Sequence, residues 1–220
     1  PLGGHNWYPM AFSQDTGLVY IPVTENFMGY VADNEFVADP DGWNTGVDFG
    51  RGFQLIMSQT EIPTNASLLK AWNPVTQEEV WRVQHPIGEG NAGVLATAGG
   101  LVFQGTRSGE FVAYNDETGE ALWTDYVQAG VMAAPATFTV DGHQHLALLV
   151  GSPALPKEGL GASEPTTVAS RNNSRLLIYR IGGEALLPSN PATTSADREF
   201  VIPQIEATNE LIAQGETGYN

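Results

Sequence analysis

The sequence predicts an all-β fold made of repeated units of four antiparallel strands, and a repeated motif, its period and its strand composition support this prediction. The stretches AWNPVTQEEVW at 71–81 and AYNDETGEALW at 113–123 share Ala, Asn, Thr and Trp at the same four places. A third copy, AFSQDTGLVY, begins at Ala11 and puts Tyr20 near the place of the Trp. Repeats of about 40 to 45 residues with short alternating strands are typical of β-propeller blades.

The predicted strands are short segments rich in β-branched and aromatic residues, separated by Gly, Asn-Asp and Asp-Gly turns. In chain order they are LLKAWN, EEVWRVQ, GVLATAG, LVFQGT, EFVAYN, ALWTDYV, ATFTVDG and HLALLVG. Helical repeats of similar period need long amphipathic helices, which this pattern does not predict. We expect Trp81 and Trp123 to be structural, with the indole covering a small residue such as Ala113 and packing on the neighbouring blade.

Composition and charge narrow the classes of function. A chain of 220 residues that is 42% hydrophobic, with five Trp and nine Phe, is predicted to fold. Nine basic and 25 acidic residues give a formal charge of −16, which repels nucleic acid phosphates and anionic lipid surfaces. The absence of Cys excludes disulfides and thiol chemistry within the chain. The apolar run LALLV is too short for a membrane span, and the start at Pro1 predicts a fragment or a processed product.

Four separated motifs resemble a known family. They are GGHNWYPMAF at 3–12, TGLVYIP at 16–22, ATAGGLVFQGTRSGEFVAYNDETGEALW at 96–123 and AAPATFTVDGHQHLALLVG at 133–151. In this order they are similar to the C-terminal half of the quinoprotein alcohol dehydrogenases, over residues 3–183. The resemblance implies the last blades of an eight-bladed propeller that holds pyrroloquinoline quinone (PQQ) on its axis beside a calcium ion. It also implies that the repeated motif docks each blade on the next.

The resemblance implies two groups of cofactor-binding residues. Asn6 and Trp7, in HNW, correspond to a pair whose polar groups face the quinone oxygens, and Asn91 and Ala92, in NAG, lie at the cofactor's edge. Fixed N–H donors there stabilise the negative charge that develops on a quinone accepting hydride. Two alternatives stay open, because an Asn at a turn commonly bonds its own backbone and Trp7 is also suited to an interblade wedge. The family's methanol dehydrogenases carry Trp at the place of Asn91, so the chain resembles the quinohaemoprotein branch.

A third candidate lies in the segment after Gly151, which reads SPALPKEGLGASEP. In the family a Gly-rich loop bearing a Trp closes over the substrate pocket at this point, and this sequence departs from that pattern. Leu155 is our candidate for the rim of the substrate pocket, and an exposed surface loop is the alternative.

No metal ligand is assigned within the chain. The long stretch from Glu25 to Asn65 is aromatic and acidic, and we expect it to wall a substrate funnel or to contact another chain. Within it DPDGWN at 39–44 is similar to part of a calcium loop with Asp48 as the closing ligand, but a solvated acidic turn is the favoured interpretation. His143 and His145 offer half a metal site with no third ligand, so we expect a plain hairpin turning at Asp141-Gly142.

The catalytic residues of the family have no counterparts assigned in this chain, because the family's base, its calcium carboxylates and its paired cysteines lie upstream of the matched region. By resemblance the whole enzyme is periplasmic and oxidises a small alcohol by hydride transfer to PQQ. Its expected partners are the N-terminal half of the propeller, in the same or a separate chain, and a cytochrome c electron acceptor. The alternative is a non-catalytic propeller scaffold or binding protein with the same blade repeats.

The predicted domain boundary lies at residues 183 and 184. Residues 1–183 form the propeller blades, and residues 184–220 form a Pro-, Ser- and Thr-rich linker followed by the start of a cytochrome c domain. Ile205, Leu211 and Ile212 approximate one helical face, which resembles the first helix of such a domain and predicts haem c beyond Asn220. The alternative is a free C-terminus that wraps the outside of the propeller.

Overall fold

The computed structural model describes residues 3–42, 44–59, 66–85, 92–151 and 174–188. The chain divides into two units, Pro1–Leu187 and Pro188–Asn220, and every helix and strand of the described residues belongs to the first unit. The described residues form one helix, α1 (Phe49–Met57), and eleven strands: β1 (Ala11–Phe12), β2 (Val19–Glu25), β3 (Ala66–Asn73), β4 (Glu78–His85), β5 (Val94–Thr97), β6 (Leu101–Gly105), β7 (Glu110–Asn115), β8 (Ala121–Tyr126), β9 (Ala136–Val140), β10 (His143–Val150) and β11 (Arg175–Arg180).

The strands form three antiparallel sheets, each following the chain as a meander. Blade 1 has the order β1-β2-β3-β4, blade 2 the order β5-β6-β7-β8, and blade 3 pairs β9, β10 and β11. All eight strand segments expected from the sequence are strands, so the predicted all-β propeller blades are confirmed. Strands β1, β2 and β11 complete the sheets and were not separate strand predictions.

The hydrophobic core lies between neighbouring sheets, as blade-to-blade packing requires. The core between blades 1 and 2 comprises Leu18, Tyr20, Leu69, Ala71, Trp81, Val94, Val102, Val112 and Tyr114. The core between blades 2 and 3 comprises Ala92, Phe111, Val127, Ala129, Val131, Leu146, Leu148 and Val150. Each blade therefore depends on its neighbour to bury its apolar face.

The repeated motif docks blade 1 on blade 2, as predicted. Trp81 lies opposite Ala71 across β3 and β4, and its indole Nε1 donates to the Asp116 carbonyl in the next blade at 2.9 Å. The ring also lies against Gly119, where a Cβ atom would come within 2.7 Å of the Trp81 Cε3 atom. The tryptophan of one copy of the motif thus packs on the glycine of the next copy.

The first copy of the motif occupies a different element from the other two. Residues 11–20 span the inner hairpin β1–β2, whereas the other two copies span the outer hairpins β3–β4 and β7–β8. Tyr20 still reaches the same anchor, because its hydroxyl donates to the Asp116 carbonyl at 3.0 Å. It approaches from β2, beside Trp81, with ring centroids 5.6 Å apart.

Trp123 connects blade 2 to blade 3, in agreement with the structural role predicted for it. Its ring meets Phe111 and Tyr179 edge to face, with centroid distances of 5.9 and 5.6 Å. The Tyr179 hydroxyl, on β11, donates to Asp125 Oδ2 at 2.8 Å. This indole is 42% exposed, so its burial is less complete than that of Trp81.

The predicted β9–β10 hairpin is confirmed. Asp141 and Gly142 both have positive φ, 50° and 75°, which is the backbone of the two-residue turns that match strand twist. His145 stacks on Phe138 with centroids 5.3 Å apart, and its Nδ1 lies 3.0 Å from the His143 carbonyl. Among the residues that the structure describes, no group of three or more His, Cys, Asp or Glu side chains is suited to hold a metal ion.

The long connection between β2 and β3 contains α1, which the sequence reasoning missed. Asp48 accepts a hydrogen bond from Arg51 N at 2.9 Å and so caps this helix. The turn at 39–44 is closed by its own bonds, including one from Asp39 N to Asn44 Oδ1 at 2.8 Å. Both observations favour the acidic turn over a calcium loop. The described part of the chain holds no helix long and apolar enough to cross a membrane.

Candidate functional site

The candidate residues that the structure describes, Asn6, Trp7 and Ala92, lie at one end of the blades. Each blade begins with its inner strand, which is β1, β5 or β9. Because neighbouring strands are antiparallel, the start of the inner strand and the end of the second strand lie at the same end of the sheet. Asn6 precedes β1 and Ala92 precedes β5. A hydrogen bond of 3.0 Å from Val94 N to the Pro9 carbonyl joins the segments that lead into these two strands. Strands β2 and β10 also end there, so the chain leaves both strands at this end of the blades.

At Gly93 the segments that lead into the three inner strands, β1, β5 and β9, come into contact. A Cβ atom at this position would lie 2.7 Å from Pro9 Cδ, before β1, and 2.7 Å from Ala134 Cβ, before β9. Only a residue without a side chain allows the three chain segments to approach this closely. The segment that follows HNW is thereby brought against the glycine of NAG.

Asn6 and Trp7 lie next to each other before β1, and both are exposed or only locally bonded. Asn6 Oδ1 accepts from its neighbour's backbone, Trp7 N, at 2.9 Å, as expected of an Asn at a turn. Its Nδ2 group makes no hydrogen bond within the described residues. The Trp7 ring is 67% exposed and stacks on Tyr8 with centroids 4.1 Å apart.

Ala92 is completely buried, and its backbone is held by a polar side chain from the neighbouring strand. Gln104, on β6, donates from Nε2 to the Ala92 carbonyl at 3.2 Å. Its Oε1 lies 3.0 Å from Nε2 of His85, the last residue of β4. Asn91 and Leu155, the other two predicted site residues, lie outside the described residues.

His85 is the buried histidine of this region. Removal from water lowers the pKa of its imidazole below the usual 6.5, while the hydrogen bond with Gln104 and the charge of Glu110 oppose that shift. The ring is therefore neutral near pH 7, and it donates from Nε2 because Gln104 Oε1 can only accept. Neither His85 nor Gln104 was singled out from the sequence, and the available signal was a polar residue within the apolar strand LVFQG.

The insertion between β2 and β3 forms a shallow polar depression of about 530 Å³ beside α1. The helix approaches the preceding loop closely, since a Cβ atom at Gly29 would lie 2.2 Å from the Gly52 carbonyl oxygen. The depression is lined by Val31, Ala32, Asn34, Arg51, Gln54, Leu55 and Ser58.

Comparison with known proteins assigns the family. The family model described as "PQQ: Glucose/ethanol/alcohol dehydrogenase, beta-propeller domain" matches residues 57–146. The quinohemoprotein alcohol dehydrogenase ADH IIB of Pseudomonas putida is 36% identical over 221 aligned positions, which cover 100% of this chain and 31% of that protein. The chain belongs to the quinoprotein alcohol dehydrogenase family. It spans about a third of the length of this relative.

Solved structures place this quinoprotein sequence beside the quinohaemoprotein branch. The crystal structure of quinohemoprotein alcohol dehydrogenase from Comamonas testosteroni superposes with a TM-score of 0.69 at 32% identity, over 86% of this chain and 28% of that one. A europium-containing methanol dehydrogenase superposes with a TM-score of 0.52 at 26% identity, over 69% of this chain and 25% of that one. The first of these two scores is the higher one, in agreement with the resemblance to the quinohaemoprotein branch.

Proposed function

We propose that this chain forms part of a PQQ- and calcium-dependent dehydrogenase that oxidises an alcohol, and that Asn6, Trp7, Asn91 and Ala92 lie at the cofactor. The observation that carries the proposal is the convergence at Gly93, which joins the HNW and NAG segments at one end of the blades. A propeller that serves only as a scaffold has no need to bring these two segments together. The matched relatives are named as alcohol dehydrogenases, which supports the same reaction class.

The described residues at this end fit a planar, oxygen-rich cofactor. The exposed Trp7 ring offers a flat apolar surface, and Asn6 Nδ2 is a donor without a partner among the described residues. When bound beside calcium, the quinone supplies a two-electron acceptor for the hydride of the alcohol. The contribution of the chain is to present Asn6 Nδ2 as a positioned donor to an oxygen that gains negative charge.

The proposed enzyme also requires further propeller blades, and the outer face of blade 3 supports this. The side chains there are exposed and largely apolar: Phe138 40%, Leu149 57%, Leu176 63% and Ile178 48%. Leu149 pairs with Leu176, and Ala147 pairs with Ile178, so they share one face of the sheet. Since the cores on the other faces lie between blades, we infer that another blade of the same protein covers this face, whether from one chain or two.

Other parts of the proposal concern the whole enzyme. We propose a periplasmic location, a haem c group as the name quinohemoprotein of the relatives indicates, and electron transfer to a cytochrome c. Calcium ligands are expected outside this chain. Leu155 remains the proposed residue at the rim of the substrate pocket, and residues 184–220 the proposed linker to a haem domain.

The test is substitution of Asn6 by Ala in the complete enzyme. Removing a donor to a charged oxygen costs about 1 to 3 kcal/mol, so kcat/KM should fall roughly 5- to 150-fold. Asn115→Ala is the matched control, because Asn115 Oδ1 only closes a turn by accepting from Glu117 N and Thr118 N. That control should lower the melting temperature and leave kcat/KM unchanged.

Two outcomes would contradict the proposal. If the complete wild-type protein showed no quinone absorbance, and PQQ with calcium gave no dye-linked alcohol oxidation, the scaffold function would be correct. If PQQ supported turnover but Asn6→Ala had normal kinetics and normal PQQ affinity, the site assignment would be wrong while the activity stood.

A further inference from the structure

A buried polar connection crosses from blade 1 to the candidate cofactor site. It runs from His85 at the end of β4, through Gln104 on β6, to the carbonyl of Ala92. Gln104 is completely inaccessible to solvent and His85 is 7% exposed. Most residues in the interblade core are apolar, so these two side chains need each other and the Ala92 carbonyl as partners.

The direction of the hydrogen bonds is determined by the groups involved. A backbone carbonyl can only accept, so Gln104 must present its NH2 group to Ala92 and its oxygen to His85. A neutral His85 with its proton on Nε2 then completes the connection. The oxygen of the Gln104 amide is therefore held by His85 of blade 1, and its nitrogen is held by the Ala92 carbonyl of blade 2.

The peptide after Ala92 is held from two sides. Gln104 anchors the Ala92 carbonyl, and the Pro9 carbonyl accepts from Val94 N at 3.0 Å. Gly93 lies between these anchors, against Pro9 and Ala134. Because the peptide is planar, an anchored Ala92 carbonyl also sets the direction of the Gly93 N–H, which points the opposite way.

We propose that Gln104, supported by His85, is a positioning residue that holds the Ala92 backbone in the orientation the cofactor requires. The proposal rests on the proposed function, since it assigns Ala92 to the PQQ site. Gln104 is fully buried and bonded to the Ala92 backbone. It acts through the Ala92 carbonyl, so its loss should weaken PQQ binding more than a core substitution of equal cost to stability.

The experiment compares PQQ affinity and thermal stability in the complete enzyme. Gln104→Leu removes the hydrogen bonds to His85 and Ala92 and leaves the Ala92 carbonyl without this donor, so the Kd for PQQ should rise about tenfold. Val102→Ala is the matched control, because Val102 lies on the same face of β6, fully buried, within the core between blades 1 and 2. It should lower the melting temperature without changing the Kd for PQQ.

A second variant keeps the proposal testable if Gln104→Leu does not fold. In Gln104→Glu the side chain has nearly the same shape, but it donates to Ala92 only while its carboxyl is protonated. Two titratable groups act here: His85, which is hydrogen-bonded to this position, and Glu110, whose charge acts on His85. The Kd for PQQ of this variant, divided by that of the wild type at the same pH, should rise about tenfold as the pH increases and the carboxyl ionises.

The possible results separate the two hypotheses. If the wild type binds PQQ, but the Kd is unchanged in Gln104→Leu and the ratio for Gln104→Glu is independent of pH, the positioning role is refuted and the PQQ assignment stands. If the wild type does not bind PQQ, the proposed function fails and this inference fails with it.

Discussion

The carbonyl of Asp116, in blade 2, accepts the hydrogen bonds that dock blade 1 on blade 2. It accepts from the Trp81 indole at 2.9 Å and from the Tyr20 hydroxyl at 3.0 Å, both from blade 1. Asp116 is 4% exposed, and its side chain lies 3.4 Å from the Ser13 hydroxyl. Since buried carbonyls need partners, these donors serve both packing and hydrogen bonding at one position.

We expect Gly119→Ala to destabilise the complete protein by about 2 to 4 kcal/mol, measured by urea unfolding. The new Cβ would lie 2.7 Å from Trp81 Cε3, and φ at this position is +74°. Gly142→Ala is the matched control, because its φ is +75° and nothing lies within 4 Å of the added atom. If both variants lose the same stability, contact with Trp81 does not limit position 119.

The buried His85 should make stability depend on pH. Burial lowers the pKa of the folded state below the usual 6.5, so the unfolded chain binds the proton more readily. The contribution is fully present above pH 6.5, and it is lost as the pH falls from there through the lower folded-state pKa.

The measurement is urea unfolding of the complete protein at pH 7.5 and pH 5. His85→Met serves as the reference, because carboxylates titrate equally in both proteins. Wild type should lose more stability than the variant, by up to about 1.4 kcal/mol per pH unit within that window. An equal loss in the two proteins would exclude His85 as the source.

At the scale of elements, the insertion between β2 and β3 is the most distinctive part of the described chain. It leaves the same end of the blades as the candidate cofactor residues and carries several exposed aromatic side chains. The exposed aromatic residues are Phe27, Tyr30, Phe36, Phe49 and Phe53. These exposures agree with a segment that walls a substrate funnel or contacts another chain.

We expect Asp48→Ala to loosen helix α1 by about 1 kcal/mol, because Asp48 is its N-cap. The readout is hydrogen exchange of residues 49–57, since the loss is local. Asp48→Asn keeps an oxygen for Arg51 N and should protect the helix almost as well as the wild type. If Asn behaves like Ala, the negative charge at the helix start matters more than the capping bond.

At the scale of the whole molecule, the two outer faces of the described blades differ. Blade 1 carries a charged group, in which Lys70 Nζ lies 3.1 Å from Glu25 and 3.6 Å from Glu79, and Glu79 also binds Arg82. Blade 3 carries the exposed apolar face of Leu149, Leu176 and Ile178. An apolar face of this kind is buried in a closed ring, which is why we expect this chain to require the rest of the propeller.

The isolated 220-residue chain should therefore self-associate as its concentration rises, as measured by sedimentation velocity. Ile178→Lys should reduce the association, because it places a charge in the apolar face. Val75→Lys is the control, since Val75 is 88% exposed in the turn between β3 and β4. A monodisperse monomer at all concentrations would contradict the need for covering blades.

Local pattern was sufficient for the blades. Alternation of apolar and polar residues, Asp-Gly at 141–142 and the repeated Ala-to-Trp motif are short-range signals, and the strands, the hairpin and the Trp81 docking followed from them. Local pattern did not determine the position of residues 11–20, because a similar sequence forms the inner hairpin β1–β2 here and the outer hairpins β3–β4 and β7–β8 elsewhere. Helix α1 was missed because its cap and its short apolar pattern lie in a stretch without a repeat.

The site depends on contacts that sequence spacing does not contain. HNW and NAG were proposed from the resemblance, but their proximity comes from Gly93, where Pro9 and Ala134 approach from two other blades. Gln104 and His85 were not identified because a lone Gln in an apolar strand has many possible partners, and only chain folding selects the Ala92 carbonyl. The period of the sequence thus determines the blades, while packing between blades, which joins residues far apart in the chain, determines the arrangement around Ala92.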